Sequence, residues 1–263
     1  MKDRLSRNVG MTCGMFREEC RRVFCGYRWY ITIVLIAMLW YLLSLERAHD
    51  NVIVSFDNIT VLSNEAKILI LAGALPLATS FSDDWQNSYI RSAAVRSGEK
   101  SYINGKIIAF VIVTFITNFI GMMLYIVIKG GIDGYGYDMV YNHYLFYDVA
   151  SGKMPFMYLI IRAYLFSIVT TMYAMWGYVV SALLPNKFVA VMAPLFMGIM
   201  IEEITSHGIV QIYPYRISIG SELLGYNTPL NLLFSTIIVL VYILIAAYFF
   251  KKIVERRIRN EIV

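Results

Sequence analysis

Apolar runs of membrane-spanning length dominate this chain and leave it few folds to choose from. About 20 apolar residues cross the roughly 30 Å hydrocarbon core of a bilayer as a helix. In that solvent every backbone N–H and C=O must be satisfied within its own segment, which excludes open sheets. Long runs lie at about 28–45, 107–128, 156–184 and 230–250. Two shorter ones lie at about 68–82, which contains Pro76, and 188–201, which ends at Glu202-Glu203. Only 16% of the 263 residues are charged and 59% are hydrophobic, whereas an average soluble domain is roughly 25% charged. The expected fold is therefore an all-α polytopic membrane protein: six transmembrane helices in one domain, residues 28–250, undivided by any polar linker.

Charge fixes the expected orientation. Seventeen of the 23 Lys and Arg residues fall on one side if the N-terminus is inside: those up to Arg28, then Arg91, Arg96, Lys100, Lys106, Lys187, and the basic tail 251–263. The other side receives Arg47, Lys67, Lys129, Lys153, Arg162 and Arg216. Cytoplasmic loops carry the Lys/Arg excess, so both termini are expected in the cytoplasm of a bacterial cell, with the chain multi-pass in the plasma membrane. The same asymmetry accounts for the net charge of +5 without nucleic acid as a partner. The basic start, MKDRLSRNVG, is not followed by an apolar signal core, and we expect it to be retained. Residues 1–27 form an interfacial helix in this reading. Met15, Phe16, Cys20, Val23, Phe24 and Tyr27 recur at helical spacing, opposite Arg17, Glu18, Arg21 and Arg22.

Catalytic patterns are missing from the sequence. His49, His143 and His207 have no metal-binding spacing, and there is no GxSxG elbow. Ser97-Gly98-Glu99-Lys100-Ser101 lacks the upstream glycine of a phosphate-binding loop. Cys13, Cys20 and Cys25 are spaced unlike zinc or redox motifs and are read as reduced thiols. The chain is thus expected to be no enzyme and to bind no cofactor or metal itself.

The most informative segment runs from Asp83 and Asp84 through Trp85, Ser88-Tyr89-Ile90-Arg91 and Arg96 to Tyr102 and Lys106. A short helix over about 83–97, capped by Ser82 and ended by Gly98, places Trp85, Tyr89 and Ala93 on one face. This segment resembles the first cytoplasmic loop of the type-two ATP-binding-cassette exporter permeases. Those carry acidic residues, a Ser/Gly-Tyr-Ile/Leu-Arg-like stretch, a basic residue and a closing Tyr-x-x-x-Lys. Ser88 stands where that family has glycine, and Ser97-Gly98 where it has proline. The six-span layout and the interfacial N-terminal helix fit the same family. The resemblance implies a membrane permease subunit of an ATP-driven exporter. Residues 83–97 would be a coupling helix docking on a separate cytoplasmic ATP-binding-cassette ATPase that holds the ATP and Mg. A second permease subunit would complete a homo- or heterodimer. The cargo moved outward would be a peptide such as an antimicrobial bacteriocin, a lipid-like molecule or a hydrophobic drug. The alternative is a non-transport sensor or assembly subunit, or an immunity factor against a membrane-active peptide.

Three charges fall inside the outer leaflet. Glu202 and Glu203 lie about 21 Å from the inner boundary by helical rise, and Arg162 about 10 Å from the outer one. A charge at such depth is costly and seeks a partner, so we expect Arg162 to pair with Glu202 or Glu203, as a structural brace or along a polar pathway. Residues 204–229, with Pro214, Gly220 and Pro229, resemble the family's outer re-entrant segment. Tyr135, Tyr137, Tyr141, Tyr144 and Tyr147 are read as an interfacial aromatic belt.

Overall fold

A computed structural model describes residues 2–45, 51–62, 66–135, 154–207, 213–218 and 228–262. Every regular element among them is helical. Helix α1 (Lys2–Phe24) meets α2 (Tyr27–Leu45) at a turn around Cys25 and Gly26. Then come α3 (Val52–Leu62), α4 (Ala66–Ala78), α5 (Ser80–Gln86), α6 (Tyr89–Ser97) and the long α7 (Glu99–Asp133). After them stand α8 (Pro155–Leu183), α9 (Lys187–Ser206), the short α10 (Pro214–Ser218) and α11 (Thr228–Ile262). Five of these are long and apolar enough to cross a membrane: α2, α7, α8, α9 and α11.

Lipid-facing and buried stripes separate as helical periodicity requires. Exposed apolar residues recur on α2 (Ile31, Val34, Met38, Leu42), α7 (Ile108, Ile112, Ile120, Leu124) and α11 (Leu233, Ile237, Leu240, Leu244). Helix α8 is central, packing against α4, α7, α9, α10 and α11. Lipid is as apolar as a leucine side chain, so close contact rather than hydrophobic exclusion holds such helices together. Small residues permit it. Gly73 on α4 receives the Asn118 side chain, and Gly121 on α7 receives Ile36 of α2. At one end of the bundle Tyr178 stacks between Phe110 and Phe250, tying α8 to α7 and α11. Toward the other end Trp40 stacks on Phe56 at 4.7 Å and meets Tyr125 and Phe166, joining α2, α3, α7 and α8.

Gly177 of α8 packs directly against the Pro194 backbone inside α9. A Cβ on Gly177 would lie 2.4 Å from the Pro194 nitrogen and 2.6 Å from its Cα. Backbone atoms cannot swing aside. Gly177→Ala is therefore expected to cost about 1–3 kcal/mol as an overpacked contact. Gly131→Ala, where the added methyl meets nothing within 4 Å, is the control. Thermal unfolding followed by size-exclusion chromatography in detergent measures both.

The structure corrects three expectations. Residues 46–67 fall between the expected spans, with Arg47 and Lys67 on the outer side, yet their described part contains α3, whose Val52, Phe56 and Ile59 are buried. The expected span at 68–82 is the 13-residue α4, with Pro76 inside it, followed directly by α5. The apolar run at 188–201 does not break at the glutamates, because α9 continues through Glu202 and Glu203 to Ser206. Of the expected re-entrant segment 204–229, the end of α9, α10 and the first residues of α11 are described. Tyr137, Tyr141, Tyr144, Tyr147, His49 and His143 lie outside the described residues.

Candidate functional site

The loop singled out in the sequence is not one helix but two. Helix α5 begins at Ser80 after Thr79, whose hydroxyl donates to Asp83 Oδ2 at 2.9 Å. Ser82, the expected cap, is instead buried inside α5. The helix ends at Asn87 and Ser88, whose N–H groups donate to the Asp83 and Trp85 carbonyls, and α6 then starts at Tyr89. Ser88 has φ 55°, a left-handed conformation that glycine adopts freely and other residues adopt at a cost. Ser88→Gly is therefore expected to leave thermal stability unchanged or raised. Ser88→Val, with a β-branched side chain in that conformation, should lower it by about 1–3 kcal/mol. Gly98, with φ 78°, makes the turn from α6 into α7.

The break redirects the aromatic residues. Trp85 lies beside Phe81, and the Arg257 guanidinium of α11 sits 4.9 Å from its ring centre. Tyr89 receives Arg22 of α1 at 5.7 Å. Trp85 and Tyr89 are half-buried against this chain's own helices, and Ala93 is buried. The exposed residues are Gln86, Asn87 and Ser88 at the tip, and Arg96 further along. Arg91 falls on α6; its side chain lies outside the described ones. Two links tie the tip to the turn between α8 and α9. Lys187 pairs with Asp83 at 2.8 Å, and Gln86 Nε2 donates to the Pro185 carbonyl at 3.2 Å. Burial pushes the Asp83 carboxyl up, but the hydrogen bonds from Lys187 and Thr79 prevail and hold it below its ordinary value.

Behind the tip lies a buried ionic cluster. Lys106 of α7 contacts Asp84 of α5 at 2.8 Å and Glu19 of α1 at 3.3 Å. Its ammonium also reaches the Ser80 carbonyl at 3.2 Å and hydroxyl at 3.3 Å. Tyr102, one turn before Lys106, donates to Asp84 Oδ2 at 2.8 Å. Arg22 closes the ring, bonding Glu19 at 3.2 Å and Asp84 at 3.3 Å. The Ser80 hydroxyl bonds Tyr178 of α8 at 3.1 Å. Glu19, Asp84 and Lys106 are each no more than 2% exposed. Two carboxylates face two cations, so the cluster is charge-balanced and its donors are satisfied, the condition under which buried ions are tolerated. The cluster bolts α1, α5, α7 and α8 together. Asp84, Tyr102 and Lys106 were singled out in the sequence; Glu19 and Arg22 were not. The signal was present, because Glu19 falls four residues from both Met15 and Val23, on the buried face of α1.

A second cluster occupies the opposite end, and it corrects the expected pairing of Arg162. The guanidinium, fully buried, pairs with Asp57 of α3 at 3.1 Å rather than with Glu202 or Glu203. It also donates to Thr60 at 2.9 Å and to the Ser218 carbonyl of α10 at 3.0 Å. Tyr158 donates to both Asp57 oxygens, at 2.9 and 2.7 Å. Glu202 accepts from Tyr173 at 3.1 Å, and Glu203 lies 3.7 Å from exposed His207. Among the described residues no group of three or more His, Cys, Asp or Glu is placed to hold a metal. The chain matches no family model, no curated protein and no solved structure.

Proposed function

We propose that this chain is the permease subunit of an ATP-driven exporter, energised by a separate ATPase that presses on the α5–α6 tip. The observation that carries this reading is the ionic cluster directly behind an exposed three-residue tip. A load applied at Gln86-Asn87-Ser88 meets α5, and α5 is bonded through Asp84 and Ser80 to α1, α7 and α8. Asp83 adds a link to the start of α9. A push at this point is delivered to several spanning helices together instead of bending a loop. The left-handed Ser88 supports the resemblance as well, since it stands where that family carries glycine. In this reading α3 and α4 together supply the second of six crossings. Laid end to end, their 24 residues would extend about 36 Å, against a core of roughly 30 Å. Both termini then lie in the cytoplasm, and two permease and two ATPase subunits form the working complex.

Copurification tests it. Trp85, Tyr89 and the cluster residues must stay, because they pack internally and their loss would unfold the site. The informative variant is Asn87→Arg, which alters an exposed side chain and leaves the Gln86–Pro185 link in place. The expected result is an ATPase recovered with the native chain from mild detergent and lost from the variant, with both chains eluting as folded species. Recovery of no ATPase with the native chain, across several detergents, would overturn the exporter reading in favour of a sensor or assembly subunit.

A further inference from the structure

We infer that the groove between α1, α7 and α11 binds an anionic phospholipid, with an acyl chain along the groove and the phosphate on Lys251. The groove encloses about 650 Å³. Val9 and Phe16 of α1, Ile108 of α7 and Tyr248 of α11 wall it, while Thr12, Asn104 and Lys251 supply polar positions, Lys251 the cationic one. Its shape follows from how α1 is held. Gly105 lets α1 approach α7 so closely that a Cβ there would lie 2.7 Å from Met15 Cβ and 3.2 Å from the Thr12 carbonyl. One turn further on, Glu19 is fixed to Lys106. Helix α1 is therefore pinned along one flank of α7, α11 passes along the other, and the space between them opens outward.

The chemistry of this space has two parts. Its walls run into exposed apolar residues, Ile108 and Ile112 on α7 and Leu244 on α11, which are the lipid-facing stripes of the bundle. At its end stands the Lys251 ammonium. The neighbouring Lys252 sits 5.0 Å above the Tyr248 ring, and exposed Arg256 and Arg259 follow on the same helix. The acidic residue of this stretch, Glu255, is not among the lining side chains. An amphipathic helix lies at headgroup depth, so an apolar trough ending in a cation there matches an acyl chain ending in a phosphate. Anionic headgroups gain about 1 kcal/mol per nearby Lys or Arg, equivalent to about fivefold in affinity. The inference concerns the lipid-facing surface and stands apart from the identity of any cytoplasmic partner.

Cys13 lines the groove and Cys25 does not, and both are exposed free thiols. Maleimide labelling of the full chain, read at each cysteine by peptide mass spectrometry, therefore reports occupancy with an internal control. Dioleoylphosphatidylglycerol added to detergent micelles is expected to slow Cys13 labelling about fivefold relative to dioleoylphosphatidylcholine at equal mole fraction, with Cys25 unchanged. Lys251→Gln should bring the two lipids level, and Lys251→Arg should keep the preference. Equal slowing by both lipids would overturn the proposal. So would a preference that survives Lys251→Gln, or protection that tracks protein concentration and marks a second copy as occupant. Protection reproduced by inorganic phosphate would make it a free-anion site, and parallel slowing of Cys25 would show a general change in α1; either result overturns it.

Discussion

Replacing Lys106 with Met is expected to destabilise the chain by about 3–5 kcal/mol, the usual cost of removing one partner from a buried ion pair. Methionine fills similar volume and suits the surrounding helix, so the loss is electrostatic rather than a cavity. Lys106 is the fully buried cation of the cluster, in contact with Asp84 at 2.8 Å and Glu19 at 3.3 Å. Arg22 also touches both, but its side chain is 47% exposed, and water screens its contribution. Without Lys106 the cluster carries one uncompensated negative charge behind α5. Adding Asp84→Asn to Lys106→Met removes that charge, because Glu19 and Arg22 remain as a neutral pair. The double variant should therefore be more stable than Lys106→Met alone. Thermal unfolding in detergent, monitored by size-exclusion chromatography, reads both. If Asp84→Asn makes the Lys106→Met chain still worse, the cluster is not held by charge balance.

What the sequence revealed and what it hid follow from which quantity each feature needs. Helices α2, α7, α8 and α11 are legible because length and apolarity alone define a span. Helix α3 was hidden because it has only 11 residues and carries Asp57 and Asn58 in their midst, which read as a polar connection; the spacing of Val52, Phe56 and Ile59 was the available sign. The continuation of α9 is hidden because Glu202 and Glu203 read as a boundary, although glutamate favours helix and the end of a span tolerates charge. For the ionic cluster, a Tyr-x-x-x-Lys pair and two adjacent aspartates announced Asp84, Tyr102 and Lys106. That Trp85 and Tyr89 turn inward toward Arg257 and Arg22 depended on the break at Ser88, a single left-handed residue with no hydrophobic signature. The partner of Arg162 was unreadable for a different reason. Helical rise supplies depth along the membrane normal but no direction around the bundle, and three carboxylates compete for the same guanidinium.

That competition leads to an unequal pair of outcomes at the opposite end. Asp57→Ala and Arg162→Met each break the same buried ion pair, and each is expected to cost about 3–5 kcal/mol. The costs should differ, with Asp57→Ala the greater. A guanidinium stays charged at any pH a protein survives, so Arg162 cannot shed its charge when Asp57 is removed, although it keeps its bonds to the Thr60 hydroxyl and the Ser218 carbonyl. Asp57 without Arg162 keeps the Tyr158 hydroxyl on both oxygens, and a carboxylate has an escape that a guanidinium lacks, because it can bind a proton. Asp57→Leu/Arg162→Met replaces both charges by apolar groups and should recover part of the loss, as buried pairs exchanged for packed hydrophobic residues commonly do. The network joins α3, α8 and α10, so hydrogen exchange should rise in Val52–Leu62 and Pro214–Ser218 before it rises in the stacked Phe110–Tyr178–Phe250 region at the other end. Equal costs for the two single variants, or exchange that spreads evenly through the bundle, would show that the pair does not hold these segments to α8.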